Sequence, residues 1–354
     1  MEEALESSTV ILLYLPPLTA HGGIIFGKNS DRPKGEVQEL IYQKPDGLPD
    51  NYLFCLQCTY IEIEQAEATQ GVILSKPAWM WGEKLLGMDL VRLGLERAKS
   101  ADEAVTIITT LLEKHGQGGP CSDTDPDFTY HNSFLIADPE EAWVLETAEG
   151  YRNISNCLSL TTRFDRSSAD LKEYAKGNNL WNGEVINIHI LCDRFEKGSE
   201  LLGNLTKSNQ FKTKDMFTVL RDKDSGICRS TDNPFPTTGS QVSLLYTAAG
   251  SQNPHVHWFT ATPDPSVSVF KPFIFTPNVQ ISQHTVSPII ENDPAKVLPF
   301  HTLFFCLSSE SLSNMETICY TEMETLLSND TTLDLSEMDD LLKDAVETEV
   351  KFLR

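Results

Sequence analysis

The pattern of apolar and polar positions divides the chain into blocks of strand and blocks of helix. An apolar run over residues 10–15 is followed by Pro16-Pro17 and Gly22-Gly23. Then comes Ile24-Ile25-Phe26-Gly27-Lys28-Asn29-Ser30-Asp31-Arg32-Pro33. This order predicts strand, turn, strand, with polar and charged side chains ending the second strand. Residues 37–42 and 58–64 alternate, and residues 71–74 form a short apolar run, so residues 10–75 read as β-rich. Helical periodicity starts at Glu83, with Leu85, Leu86, Asp89, Leu90, Leu93 and Arg97 falling on alternating faces. Ser100-Ala101-Asp102-Glu103 has the form of a capping box and opens a second helix. Its buried stripe is Val105, Ile108, Leu111 and Leu112, and the glycines of residues 116–119 stop it.

Two strand signals over 133–137 and 142–147 flank Asp138-Pro139-Glu140-Glu141, which predicts an antiparallel hairpin. Residues 158–162 read as a further strand. Residues 165–225 read as mostly helical, with a break around 177–183. Strand patterns return over 241–246, 256–260 and 269–275, separated by Asn253-Pro254 and Pro263-Asp264-Pro265 turns. Residues 276–300 look irregular, and a last helix is predicted over 335–352. Strands are grouped rather than alternating with helices. The expected class is therefore α+β, with antiparallel sheets and helices layered outside.

Composition narrows the partners. The chain has 354 residues, 40% of them hydrophobic, and a net charge of −23 from 28 Lys+Arg against 51 Asp+Glu. No basic stripe interrupts this acidity, so nucleic acid is not an expected partner. No apolar run approaches the roughly 20 residues of a membrane helix, so membrane insertion is not expected either. The acidic start, Met1-Glu2-Glu3, lacks the basic region of a secretory signal. The eight cysteines (55, 58, 121, 157, 192, 228, 306 and 319) have no framework spacing, and they read as reduced thiols of a cytoplasmic protein.

Lys28, Asn29, Asp31 and Arg32 are the sharpest chemical candidates. Read plainly, they are a charged turn closing a hairpin. Read functionally, Lys28 and Asp31 orient an N-terminal amine and its nucleophile. An α-amino group has a reference pKa of about 8 and can act as a base near neutrality. Thr paired with such an amine is a known nucleophile, and no cysteine precedes Cys55. Cys55 and Cys58 have redox spacing but sit in a β pattern, where nothing stabilises a thiolate. His255 and His257 stand two apart on one strand without a nearby acidic or thiol cluster, and read as core or surface histidines rather than ligands. Pro77, Trp79 and Trp81 read as packing residues. Asn153, Ser155 and Asn156 read as a turn, or as amides able to polarise a carbonyl. The sequence implies no metal and no organic cofactor.

With these residues in view, the chain resembles the secernins, a branch of the C69 cysteine peptidases in the N-terminal nucleophile hydrolase superfamily. The resemblance is carried by IFGKNSDRP (25–33), CTYIEIEQ (58–65), LSKPAWMWG (74–82), LLGMDLVRLGLERA (85–98), YHNSFLIAD (130–138), RNISNCLSLTT (152–162) and TATPDPSVSVFKPFIF (260–275). It implies a four-layer αββα sandwich of two stacked antiparallel sheets flanked by helices. It also implies cysteine-type dipeptidase or amidase chemistry on a dipeptide or small amide. Lys28, Asn29 and Asp31 match the positions that flank the nucleophile, and Asn156 matches a site amide. The family's nucleophilic Cys falls on Thr9, behind a leader of residues 1–8. Trp81-Gly82 runs directly into Glu83, where the family carries a core strand and an oxyanion Asn, so the sandwich is expected to be incomplete. The resemblance thus divides the chain into leader 1–8, a peptidase-like domain 9–296 and a divergent helical segment 297–354. It also leaves a second expectation open: a non-catalytic binding or regulatory protein, with exocytosis the process that the family name suggests. Nothing in the sequence specifies a protein partner.

Overall fold

A computed structural model describes residues 10–36, 38–45, 52–54, 61–78, 84–119, 121, 132–147, 165–177, 193–205, 210–247, 253–286, 309–328 and 335–352. The strands are β1 (Val10–Tyr14), β2 (Ile24–Asp31), β3 (Gln38–Gln43), β4 (Tyr52–Phe54), β5 (Glu62–Glu64), β6 (Val72–Pro77), β7 (Ser133–Ala137), β8 (Ala142–Glu146), β9 (Thr237–Leu245), β10 (Val256–Phe259) and β11 (Lys271–Phe273). The helices are α1 (Gly87–Arg97), α2 (Ala101–His115), α3 (Leu171–Gly177), α4 (Asp193–Leu205), α5 (Thr213–Leu220), α6 (Ser309–Ser328) and α7 (Leu341–Phe352). The class is α+β, and the strand pairs are antiparallel, as the grouped pattern predicts.

The largest sheet has the order β1-β2-β9-β10-β11. Its centre is the pairing of β2 with β9, which sets Ile25 opposite Leu244, Gly27 opposite Val242 and Asn29 opposite Ser240. Side chains alternate across a strand, so these residues share one face. That face packs on α5 through Met216, Phe217 and Leu220. A Cβ at Gly27 would sit 2.5 Å from the Met216 sulfur, so only glycine lets the helix come this close. Phe217 stacks on Phe270 at 4.1 Å, and Phe211 stacks on Tyr14 at 4.3 Å. Arg221, at the end of α5, fastens α6 by a two-pronged bond to Glu316, at 2.9 and 2.5 Å.

The opposite face carries Phe259 and Phe273. It packs on Leu40 and Ile73 of the β3–β6 pair, and on Leu342, Val346 and Val350 of α7. At Gly239 a Cβ would lie 3.1 Å from the Gln38 side chain, where the two β layers approach. A separate core joins Leu90 and Leu93 of α1 and Ile108 and Leu111 of α2 to Ile63 and Phe134. Ser100 caps α2 by accepting the Glu103 N–H, while Asp138 of the β7–β8 turn accepts the Ala101 N–H at 2.7 Å.

Several boundaries differ from the sequence pattern. β9 starts at Thr237 rather than at 241: Thr237-Thr238-Gly239-Ser240 has no apolar alternation and takes its strand form from pairing with β2. The helix expected over 335–352 splits into a 3-10 turn, Leu335–Met338, and α7. At the break, Asp339 O accepts the Gln280 N–H and Asp340 O accepts the Asp344 N–H. The helical stretch 165–225 contains α3, α4 and α5, and the strand expected over 158–162 lies outside the described residues.

Lys271 and Glu349 form an ion pair at 2.7 Å, both side chains fully buried, which ties β11 to α7. Removing one partner strands the other charge in the core. Glu349→Leu is expected to cost about 3–5 kcal/mol, and the double variant Lys271→Met/Glu349→Leu to regain most of it. Urea unfolding of the three proteins at pH 7 checks both statements.

Candidate functional site

The polar end of β2 sorts onto two faces. Asn29, fully buried, points toward α5. Its Nδ2 donates to the carbonyls of Leu220 at 2.8 Å and Ile227 at 2.9 Å, and its Oδ1 accepts the Ser240 hydroxyl at 2.6 Å. The carbonyls belong to the end of α5 and the turn after it, so one amide pins both to the sheet. Pairing then shifts: Ser30 lies opposite Gly239 but Asp31 opposite Thr237, so Thr238 is skipped in a bulge. Asp31 accepts from Arg194 Nη1 at 2.7 Å and from the Thr237 hydroxyl at 2.7 Å, and Arg229 Nε stands 3.7 Å away. Burial pushes the Asp31 carboxyl above the usual range, while Arg194, Thr237 and Arg229 pull it back.

Lys28 lies on the opposite face and donates to the Ser30 hydroxyl. Burial brings its ammonium down to about 8; the Asp31 charge opposes this and Arg32 adds to it. Lys28 faces Gln241 across β9, and the row continues through Ser243 to His257. Gln241 donates to Ser243 Oγ at 3.3 Å, and His257 Nδ1 lies 2.8 Å from the same hydroxyl. Burial holds His257 down at about 4, so it is neutral at pH 7. The arrangement is a polar row of Lys28, Ser30, Gln241, Ser243 and His257, running across three strands between the β layers. Chemically it offers an amine able to hold or release a proton near neutrality, beside hydroxyls and a neutral imidazole.

Lys28, Asn29 and Asp31 are therefore neighbours in the chain but not one constellation. Lys28 faces the polar row, whereas Asn29 and Asp31 face the helices. Thr9 and Asn156 lie outside the described residues, as do Cys55, Cys58, Trp79, Trp81, Asn153 and Ser155. Thr9 precedes Val10, the first residue of β1, which pairs with Asn29. Arg32 turns away to Glu36, at 2.6 Å, and to the carbonyl of Cys121. His255 accepts the Tyr246 N–H, and no group of three metal-ligating side chains occurs among the described residues. Cys228 and Cys319 are free thiols, and burial, with Asp264 nearby, pushes Cys228 up to about 12. The sequence pattern does not single out Arg194, Arg229, Thr237, Ser240 or Ser243. Arg194, Arg229, Thr237 and Ser240 meet partners on β2 that are far away in the chain, so no local spacing marks them, and Ser243 gains its place from His257 on the neighbouring strand. No protein-family model matches the chain. Among the described residues, no helix is long and apolar enough to cross a membrane.

Two outcomes are expected. Asn29→Leu leaves two carbonyls and the Ser240 hydroxyl without their partner. Each stranded buried group costs about 1–3 kcal/mol, so stability in urea unfolding should fall by at least about 3 kcal/mol. His257 binds a proton less readily folded than unfolded, so stability should rise with pH between about 4 and 6.5. The urea midpoint of His257→Gln should vary less than that of the parent protein across this window, because the amide does not titrate.

Proposed function

We propose that this chain is a secernin-like member of the C69 peptidase family, built on the αββα frame of the N-terminal nucleophile hydrolases. The carrying observation is the first hairpin. Val10 pairs with Asn29 and Ile11 with Lys28, so β1 opens beside an amine lowered to about 8. The frame is supported by a five-stranded antiparallel sheet that carries α5 on one face and the β3–β6 pair on the other, with α1 and α2 packed on the β4–β5 and β7–β8 pairs. In this reading Thr9 stands where the family has its cysteine. Once residues 1–8 are removed, the Thr9 amine accepts the proton of its own hydroxyl. The oxygen adds to the amide carbonyl, the amine product leaves, and water hydrolyses the ester. Lys28 steadies the nucleophile, Asn156 donates to the oxyanion, and Asn29 and Asp31 fix the strand that carries Lys28. The substrate is a dipeptide or small amide, and the setting is cytoplasmic. With residues 1–8 attached, Thr9 has no free amine and turnover is absent.

One observation favours a second reading, a binding or regulatory protein without hydrolysis, acting in exocytosis. Asn29 and Asp31 spend their bonding capacity on Leu220, Ile227, Ser240, Arg194 and Thr237, which is packing work. Intact mass, N-terminal sequencing and a dipeptide-hydrolysis assay on purified protein separate the two. The hydrolase reading expects no turnover from the unprocessed chain. It expects turnover from a chain beginning at Thr9, lost on Thr9→Ala and reduced on Lys28→Ala. A chain beginning at Thr9 that hydrolyses no dipeptide would leave the binding reading.

A further inference from the structure

On the helix side of the sheet a cleft of about 370 Å³ opens between α4 and the segment 223–233. Four cationic side chains line it, Arg194, Lys197, Lys223 and Arg229, with Asp224 the one acid among its lining residues. In a chain of net charge −23 such a grouping runs against the average charge. The floor is organised. Asp31 stands between the two arginines, 2.7 Å from Arg194 and 3.7 Å from Arg229, and serves both guanidiniums with one carboxylate. Both arginine side chains are nearly buried, at 11% and 9% exposure, so their positions are set before any ligand arrives. The rim is soft. Among the described residues Lys197 reaches the Asp224 carbonyl, at 3.5 Å, and Lys223, 44% exposed, pairs with Asp264 at 3.1 Å. Ser225, Ser230 and Asn233 complete the lining.

We propose that this cleft binds the phosphate group of a small phosphorylated molecule. A singly charged anion is met by one cation at the rim, whereas a doubly charged phosphate draws on the rim ammonium groups and on the charge of both guanidiniums behind them. The volume admits the phosphate and a short organic remainder. Asp31 acts here as the positioning residue, since it touches the arginines rather than the ligand. The inference goes beyond the hydrolase reading and does not need it.

Calorimetric titration of the full chain at low salt tests it, with inorganic phosphate, glycerol phosphate and acetate as probes at matched ionic strength. Phosphate is expected to bind and acetate not, with phosphate affinity falling as salt rises. Tighter binding of glycerol phosphate than of inorganic phosphate assigns the site to an ester, and equal binding assigns it to the free ion. Lys197→Glu changes only the rim and should keep the parent's melting temperature while weakening phosphate about tenfold. Phosphate heats equal to those of acetate, or unchanged affinity in Lys197→Glu, would overturn the proposal.

Discussion

The molecule is organised by one constraint: a polar run, Asn29-Ser30-Asp31-Arg32, lies inside the protein, where each polar atom must find a partner. An unmet amide or carboxylate there would cost several times what a typical hydrogen bond returns. The fold answers by bringing distant segments to β2. β9 supplies Ser240 and Thr237, the end of α5 and its following turn supply two carbonyls, and α4 supplies Arg194. Glu36 and the carbonyl of Cys121 meet Arg32. The aromatic core around Phe217 and Phe270 supplies much of the apolar burial, but it is indifferent to register. The polar run is not, because slipping β2 by one residue would turn Asn29 and Asp31 to the wrong face.

The two faces of β2 differ in what they leave available. On the helix side the polar groups are matched closely, and Asn29 behaves as a structural clasp. On the other side, Lys28 carries a lowered ammonium in a row that ends at a neutral imidazole. A group that is easily deprotonated and lightly bonded suits chemistry, whereas one that is fully matched suits architecture. The hydrolase proposal rests on the first kind of face. The phosphate proposal rests on the edge of the second, where Asp31 holds two arginines at the border of a cleft.

What the sequence revealed follows the range of each interaction. β1, β2, β7, β8 and α2 are visible because their signals are local: an apolar run, an alternation, or Ser100 ahead of the stripe Val105, Ile108 and Leu111. The start of β9 is invisible because Thr237 to Ser240 has no apolar alternation and becomes a strand through long-range pairing, chiefly with β2. Arg194 and Arg229 were invisible for the same reason, since their partner Asp31 lies more than a hundred residues away. The helix over 335–352 was over-extended because periodicity does not register the break at Asp339-Asp340. The motif around Lys28 was legible as a cluster but not as two faces. That division follows from strand geometry once β2 is known to be central rather than an edge.

The bond between Asn29 and Ser240 spans 211 residues of chain. A ribosome adding about 5–20 residues per second needs roughly 10–40 s to deliver β9 after β2 has emerged. Throughout that interval the first hairpin exposes both an apolar face and an unpaired strand edge, the combination that invites wrong partners. Slowing translation between β2 and β9 would lengthen that vulnerable period.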